Sequence, residues 1–374
     1  MKVELLQENL NKALSTVSRI VSSRNQLPIL SNVLLTTDKG KLKLTATNLE
    51  TGINLWLGGK IISEGKICVP AKIFGETVAS LPPDTITLAT EQDKLKLTCA
   101  KYKIELNTMG AEEFPLVPTR TAKKQTEISL PREATENSLA QVAIAAASDE
   151  SRPVFTGVRL EFGPSGLRLA ATDGYRLSVK TIKGISGTKE KKELLVPARA
   201  LIELVRLMAA SDKEAREIIL SPTEAEKQLI LALPDSDVVT RLLEGEFPDF
   251  DKIIPTSRLV KLELNTEELL QAVRSAAVFA RDSANIIKFK VTKSGLVITA
   301  NAPQVGANEA EVEAKVSGEN LEIAFNSRYL LEMLTVIGKE SLTLELSGPL
   351  SPAVFRPAGA DSFLHIIMPV RVQA

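Results

Sequence analysis

At 374 residues, with 44% apolar and 25% charged residues and a formal net charge of zero, the chain has the makeup of an ordinary globular protein of two or three domains. Zero charge argues against a tight, permanent nucleic-acid binder but leaves room for a local basic face offset by an acidic one. Cys68 and Cys99 are too few and too far apart for a disulfide framework or zinc motif, the single His365 argues against a His-based metal site or triad, and no apolar run approaches the roughly 18 residues of a membrane span. The opening residues, with Glu4 and Glu8, do not read as a secretion signal, and two small buried cysteines suit a reducing compartment.

The chain starts with a predicted helix over 5–21, where Leu6, Leu10, Ala13, Val17 and Ile20 share one face. Leu27-Pro28-Ile29-Leu30 leads into a strand from Asn32 to Thr37, and a Lys39-Gly40 turn into strand 41–47. Strand-like runs follow at 52–57, 60–62 and 66–69. Val69-Pro70-Ala71-Lys72 opens a short helix with proline at its start, ended by Pro82-Pro83. Strands at 85–89, 94–98 and 102–108 and the sequence Glu113-Phe114-Pro115 close a first unit.

The same order then returns. Pro131 to Ser148 reads as the helix, and Arg152-Pro153-Val154-Phe155 answers Leu27-Pro28-Ile29-Leu30. Leu167-Arg168-Leu169-Ala170-Ala171-Thr172 is an alternating strand running into an Asp173-Gly174 turn and a second strand from Tyr175 to Ser178. Gly- and Lys-rich residues 184–193 read as an exposed loop. Val196-Pro197-Ala198-Arg199 repeats the short helix, and Glu246-Phe247-Pro248 repeats the closing sequence. A third unit starts near Leu259, with Asn265-Thr266-Glu267-Glu268 as a helix cap and Phe325–Leu334 as the short helix. Ala46, Ala171 and Ala300, spaced by 125 and 129 residues, mark equivalent positions. The expected fold is α+β: three similar units, 1–125, 126–254 and 255–374, each with two helices on a mostly antiparallel sheet.

Catalytic machinery is missing from this pattern. There is no phosphate loop, no nucleophile elbow and no metal-spaced cluster, so no catalytic residue, metal or cofactor is assigned. Asp173-Gly174 could be a carboxylate at a strand end, as an enzyme reading would need, but a turn former requires no function. Glu244, Glu246, Asp249 and Asp251, interrupted by proline, read as a solvated loop. More informative are three basic pairs seven residues apart on predicted helices: Lys12/Arg19, Arg199/Arg206 and Arg274/Arg281. Each marks one helical face, and their recurrence suggests a shared surface that contacts phosphates without reading bases. The apolar stretches Phe247-Pro248, Ile253-Ile254 and Ile366–Val370 are either core or, if they converge with Leu177, a groove for a partner peptide.

Ala-Thr-Asp-Gly-Tyr-Arg-Leu (171–177), Leu-Pro-Ile-Leu-Ser-Asn (27–32), Val-Pro-Ala-Arg (196–199), Gly-Glu-Phe-Pro-Asp-Phe (245–250) and Met-Pro-Val-Arg (368–371) occur in an order and spacing that resemble the bacterial sliding clamps, the beta subunits of DNA polymerase III. The resemblance spans the chain. It implies a DNA clamp fold and a head-to-tail homodimer whose six domains form a ring around duplex DNA, with no catalytic activity, in the cytoplasm at the nucleoid. It implies DNA-facing roles for Lys12, Arg24, Arg152 and Arg199. A partner groove would comprise Phe155, Thr172, Tyr175, Arg176, Leu177, Pro248, Ile253, Ile366, Met368, Pro369 and Arg371. Thr77, Leu81, Ile104 and Leu106 of one chain would meet Val278 and Phe279 of the other. Implied partners are the polymerase III alpha subunit, other polymerases, the clamp loader, mismatch-repair proteins and ligase, each through a short linear motif. Tyr175 stands where the family commonly has histidine, Pro153-Val154 replaces aromatic residues that some members place beside DNA, and Gln373-Ala374 extends the tail past Val372. A protein-interaction scaffold that never encircles DNA is the competing reading.

Overall fold

The structure, a computed structural model, describes residues 1–21, 27–120, 127–164, 166–185, 192–211, 216–223, 227–338, 340–359 and 362–371. The first repeat runs β1 (Lys2–Leu6), α1 (Gln7–Val17), β2 (Asn32–Asp38), β3 (Lys41–Thr47), β4 (Thr51–Leu57), β5 (Lys60–Ser63), β6 (Lys66–Pro70), α2 (Ala71–Ala79), β7 (Thr85–Glu91), β8 (Lys94–Cys99) and β9 (Tyr102–Asn107). The second runs β10 (Ile128–Pro131), α3 (Arg132–Ala143), β11 (Gly157–Gly163), β12 (Gly166–Thr172), β13 (Arg176–Ile182), β14 (Lys192–Pro197), α4 (Ala198–Ala210), β15 (Glu217–Thr223), β16 (Gln228–Leu233) and β17 (Ser236–Arg241). The third runs β18 (Val260–Asn265), α5 (Thr266–Ala280), β19 (Ile286–Thr292), β20 (Gly295–Ala302), β21 (Gly306–Val312), β22 (Ala314–Gly318), β23 (Leu321–Asn326), α6 (Ser327–Val336), β24 (Ser341–Leu346), β25 (Ala353–Pro357) and β26 (Phe363–Ile367).

Local chemistry accounts for the helix limits. The Asn265 carboxamide oxygen accepts the N–H groups of Glu267 and Glu268 at 2.9 and 3.1 Å, satisfying donors that the first turn of α5 leaves open. Leu10, Ala13, Leu14 and Val17 form the buried stripe of α1. The helices starting at Gln7 and Arg132 end earlier than their apolar spacing predicts. Thr16 folds its hydroxyl back onto the Lys12 carbonyl at 2.9 Å, and the following N–H groups of Arg19, Ile20 and Val21 take i−3 partners, which tightens the chain out of α geometry. Ala145 and Ala146 do the same after α3.

Every strand pairing among the described residues is antiparallel, and the strands form four sheets. The expectation of one sheet per repeat needs refinement, because each repeat splits its strands between two sheets. An eight-stranded sheet joins the first and second repeats through β4 and β17, and a nine-stranded sheet joins the second and third through β13 and β26. Contact density correspondingly divides the chain into two compact units, 1–132 with 203–242 and 133–202 with 243–374. The first unit holds the eight-stranded sheet and a five-stranded one ending in β9. The second holds the nine-stranded sheet and a four-stranded one ending in β21.

Strand register proves the repeat residue by residue. In the first repeat Val3 faces Leu88, Leu88 faces Leu97, and Leu97 faces Ile104. The second has Ile128, Leu220, Leu231 and Val238 in the same row. The third has Leu262, Leu344, Phe355 and His365. On the other half of each repeat, Ala46 faces Ile53, Ala171 faces Ser178, and Ala300 faces Asn308. The alanines of the sequence spacing are thus true equivalents, all buried. The third core adds Phe289, Phe325 and Phe355 in edge-to-face contact, the arrangement that ring quadrupoles favour.

Candidate functional site

The turn between β12 and β13 is built by its own side chains. The Thr172 hydroxyl donates to the Arg176 carbonyl at 2.6 Å and accepts the Gly174 N–H at 3.0 Å. The Asp173 carboxylate accepts the N–H groups of Tyr175 and Arg176, both at 2.9 Å, and the Arg176 Nε at 3.0 Å. Gly174 supplies a left-handed residue, φ 91°, that a Cβ would disfavour. Asp173 is therefore occupied as a turn former, which removes the ground for reading it as a catalytic acid.

The turn leaves Tyr175 65% exposed, and the Tyr175 carbonyl accepts the Met368 N–H at 2.8 Å. Beneath it Leu177 faces Ile366, and Ile366 faces Val354. This row belongs to a buried cluster with Ala170, Val179, Leu195, Phe247 and Phe250. Phe247 and Phe250 meet edge to face at 6.0 Å. The Arg168 guanidinium lies 4.7 Å over the Phe250 ring and bonds Asp251 at 2.9 Å, holding that carboxyl below the usual range. The structure thus gathers Thr172, Tyr175, Arg176, Leu177, Ile366 and Met368 around one turn. Pro248 is half-buried beside Phe247, and Ile253 remains exposed. Phe155 is half-buried, with Arg152 5.8 Å from its ring. Pro369 and Arg371 follow Met368 along the chain, Arg371 exposed.

The partners of Arg176, Glu332 and Tyr329, and the place of His365 escaped the sequence reading. Arg176, 8% exposed, bonds Glu332 on α6 and lies 4.5 Å from the Tyr329 ring. Burial pushes the Tyr329 phenol up. His365 is buried under the row, its Nδ1 2.7 Å from the Ser178 hydroxyl. Burial first, then the Arg176 charge, pushes its imidazole down to about 3, so it is neutral at pH 7. The alternation of Phe363, His365 and Ile367 was a usable signal, since it places the histidine on a buried face. Nothing local in the sequence pairs Arg176 with Glu332, which lies 156 residues away.

The basic positions divide. Arg24 lies outside the described residues. Lys12, Arg152 and Arg199 are exposed, and Arg199 pairs with Glu150 at 2.9 Å with both side chains exposed, a pairing worth little. Arg19 and Arg206 are engaged differently from the basic-face expectation. Both hold the nearly buried Glu203 carboxylate, Arg19 at 3.0 Å, so they contribute one net positive charge rather than two. Arg274 and Arg281 on and just after α5 are exposed.

The residues expected at a contact between chains fall on β9, around the end of α2 and on α5. Ile104 and Leu106 are on β9, the end of its sheet. Thr77 and Leu81 sit at the close of α2, but Leu81 and Leu106 are 6% and 9% exposed in the single chain and so face largely inward. Val278 is exposed on α5. The Phe279 ring lies 3.8 Å from where a Gly306 Cβ would stand, next to β21, the end of the other sheet.

Comparison with known proteins gives one answer along the chain. Residues 1–118, 129–249 and 251–371 match the family models of the N-terminal, central and C-terminal domains of the DNA polymerase III beta subunit. The beta sliding clamp of Synechococcus elongatus is 31% identical over 380 residues, covering 100% of both chains. That of Staphylococcus epidermidis is 27% identical over 96% of each. The crystal structure of the Thermotoga maritima beta subunit superposes with a TM-score of 0.89 at 26% identity, and that of the Pseudomonas aeruginosa clamp bound to griselimycin with 0.89 at 28%, both over 100% of each chain. With its threefold repeat matched unit by unit, the chain belongs to the DNA polymerase III beta subunit family, that of the beta sliding clamps.

Proposed function

We propose that this chain works as a DNA sliding clamp: two copies close head to tail into a ring of six repeats that encircles duplex DNA and tethers the replicative polymerase. The observation that carries the closure is an unfinished joint. The chain makes the same antiparallel joint twice. In the first, Ile53 of β4 faces Val238 of β17; in the second, Ser178 of β13 faces His365 of β26. The register rows make Asn308 of β21 and Ile104 of β9 the third such pair, yet β21 and β9 each end a sheet. Two different free halves make a heterologous interface, which forms a ring when its rotation closes.

Copying the register of the two internal joints onto the third sets Lys103 opposite Glu309 and Lys101 opposite Glu311 of the second copy. All four side chains are exposed, and the charges are opposite at both facing positions. Opposite charges at facing positions stabilise a strand pair and like charges weaken it. Lys103→Glu should weaken the dimer at least tenfold, and adding Glu309→Lys should restore it, as read by sedimentation equilibrium. A dimer unmoved by either change contradicts this joint.

Holding by topology needs no tight phosphate contact, which suits zero net charge with exposed Lys12, Arg152, Arg199, Arg274 and Arg281. Such a clamp catalyses nothing itself and works on the nucleoid in the cytoplasm. The turn 172–177 with Met368 and Pro369 is the groove for short linear motifs of the polymerase alpha subunit, other polymerases, the clamp loader, mismatch-repair proteins and ligase. The three functional units are 1–125, 126–254 and 255–374.

A further inference from the structure

We infer that an open cavity beside the first joint is a binding site for a small organic cation, a guanidinium or primary ammonium on a short apolar stem, with the Asp237 carboxylate as its counter-charge.

Strand register builds the site. Asp38 faces Lys41, Lys43 faces Trp56, and Thr45, Asn54, Asp237 and Ala232 face one another in the next row. Facing residues share a side of the sheet, and the side alternates along each strand, so all these side chains stand on one face. The connector 118–120 is fastened over that face: Asn54 Nδ2 donates to the Pro118 carbonyl at 2.9 Å, and the Arg120 N–H donates to Asp237 Oδ2 at 3.2 Å. Between the connector and the turn at Pro234 is a cavity of about 390 Å³, walled by Asp38, Lys41, Trp56, Arg120, Pro234 and Asp237.

The second joint has the same rows with different chemistry. Asn54 and Asp237 answer to Val179 and Leu364. The Trp56 N–H bonds the Asp235 carbonyl at 2.9 Å as the Thr181 N–H bonds that of Ser362 at 2.8 Å. Arg168 stands in place of Lys43, and there Phe250 and Asp251 take up its guanidinium. Of the two joints, only the first places an indole and a carboxylate on this face.

Asp237 is the unmatched group. It is 3% exposed. Beyond the Arg120 N–H on Oδ2, its other oxygen has no hydrogen-bond partner and the carboxylate no ion pair among the described residues. The charges around it are otherwise engaged. The Arg120 guanidinium holds Glu127 at 2.9 and 2.8 Å, and Lys41 holds Asp235 at 2.5 Å. The Lys43 ammonium stands 5.2 Å from the Trp56 ring, and Asp38 accepts the Trp56 Nε1–H at 2.7 Å. Lys39, in the turn between β2 and β3, is exposed. Burial raises the Asp237 carboxyl to about 6, against the Arg120 N–H and the Lys43 and Arg120 charges, so it is largely ionised at pH 7. A buried carboxylate without a cation of its own costs stability, and its place on the wall of a cavity marks a site that a ligand completes.

The walls select that ligand. One free carboxylate oxygen offers a hard metal ion too few donors, but it matches one ammonium or guanidinium N–H in a charge-assisted bond. Trp56 and Pro234 cover an apolar stem, and the volume suits a small molecule.

Trp56 is the only tryptophan of the chain, so its fluorescence reports entry, with calorimetry counting the sites. The full-length protein is titrated with agmatine and with acetyl-Gly-Arg-Gly-amide, the free and the peptide-borne forms of one cation, and with N-butylurea as the uncharged control. Saturable binding at one site per chain is expected, the tighter probe identifying the source, with N-butylurea inert. Asp237→Asn should weaken binding at least tenfold. In wild type the affinity should fall about tenfold from pH 7 to pH 5 as the carboxyl takes up its proton, a readout that stands if the variant does not fold. No saturable binding of either cation, equal binding of N-butylurea, an Asp237→Asn variant that binds like wild type, or an affinity unchanged at pH 5 overturns the proposal.

Discussion

The hairpins 45–54 and 170–179 share a backbone, a strand register and a set of turn bonds, yet their faces are filled differently: Leu177 lies in one continuous cluster with Phe247 and Phe250, whereas at Gly52 the space is taken by Val117. The comparison separates two kinds of information. Threonine and Asn or Asp at the turn fix the local geometry through side-chain bonds to the backbone, and they are kept in both. What the face presents depends on positions 45, 52 and 54 against 170, 177 and 179, which alter no backbone bond. Turn geometry and the packing of the face are therefore encoded in different residues of the same hairpin.

The largest expected effect comes from giving hairpin 170–179 the glycine of hairpin 45–54. Leu177→Gly removes a buried leucine from the middle of a continuous cluster and should cost about 4 kcal/mol in urea unfolding, with peptide affinity down at least tenfold. A loss under 1 kcal/mol would mean that the cluster does not depend on its bridge.

Acid should act on the two joints in opposite senses. Burial raises the Asp237 carboxyl, beside the first joint, to about 6. The folded state then holds its proton more tightly than the unfolded state, so this residue weakens the fold as pH rises from about 4 to about 6, by up to roughly 3 kcal/mol. Asp237→Asn should stabilise above pH 6 and do nothing below pH 4. Burial lowers His365, in the second joint, to about 3. The unfolded state takes the proton first, so stability is lost as pH falls below about 6.5 towards 3, and His365→Gln should flatten that limb. Unfolding midpoints from pH 3 to 8 check both, and matching slopes in the two variants would contradict the assignment.

Two smaller changes sharpen the comparison further. A Cβ at Gly52 would stand 2.7 Å from Val117 Cγ1, so Gly52→Leu drives a side chain into Val117 and should cost about 1–3 kcal/mol, much of it recovered by Val117→Ala because the two sites touch. Leu49→Gly relieves a left-handed leucine that buries little and should stabilise by about 0.5 kcal/mol. Destabilisation by Leu49→Gly would show that the exposed leucine has a contact the hairpin requires.

Much of this was legible in the sequence. Alternating strands, the proline at each short helix and the spacing of Ala46, Ala171 and Ala300 gave the three repeats, and Asn265 marked its helix cap. The turn 172–177 was visible because its bonds are local. Sheets running from one repeat into the next were not, since pairing between Ile53 and Val238 depends on strands nearly two hundred residues apart and no pattern names a strand's partner. For the same reason Arg19 read as part of a basic face, when Glu203, 184 residues away, holds it; the Glu203–Arg206 pair, three apart on α4, was local and legible. The Gly52 gap was silent as well, because glycine in a strand shows only that something comes close, not what.

The central claim is that two chains encircle DNA, and retention on circular against linear DNA tests it most directly. Protein loaded with a clamp loader and ATP onto nicked plasmid should survive a high-salt wash, which strips binders held by phosphate contacts, and should leave when the plasmid is linearised. Loss from circles in salt, with a loader that retains a control clamp, would contradict the ring.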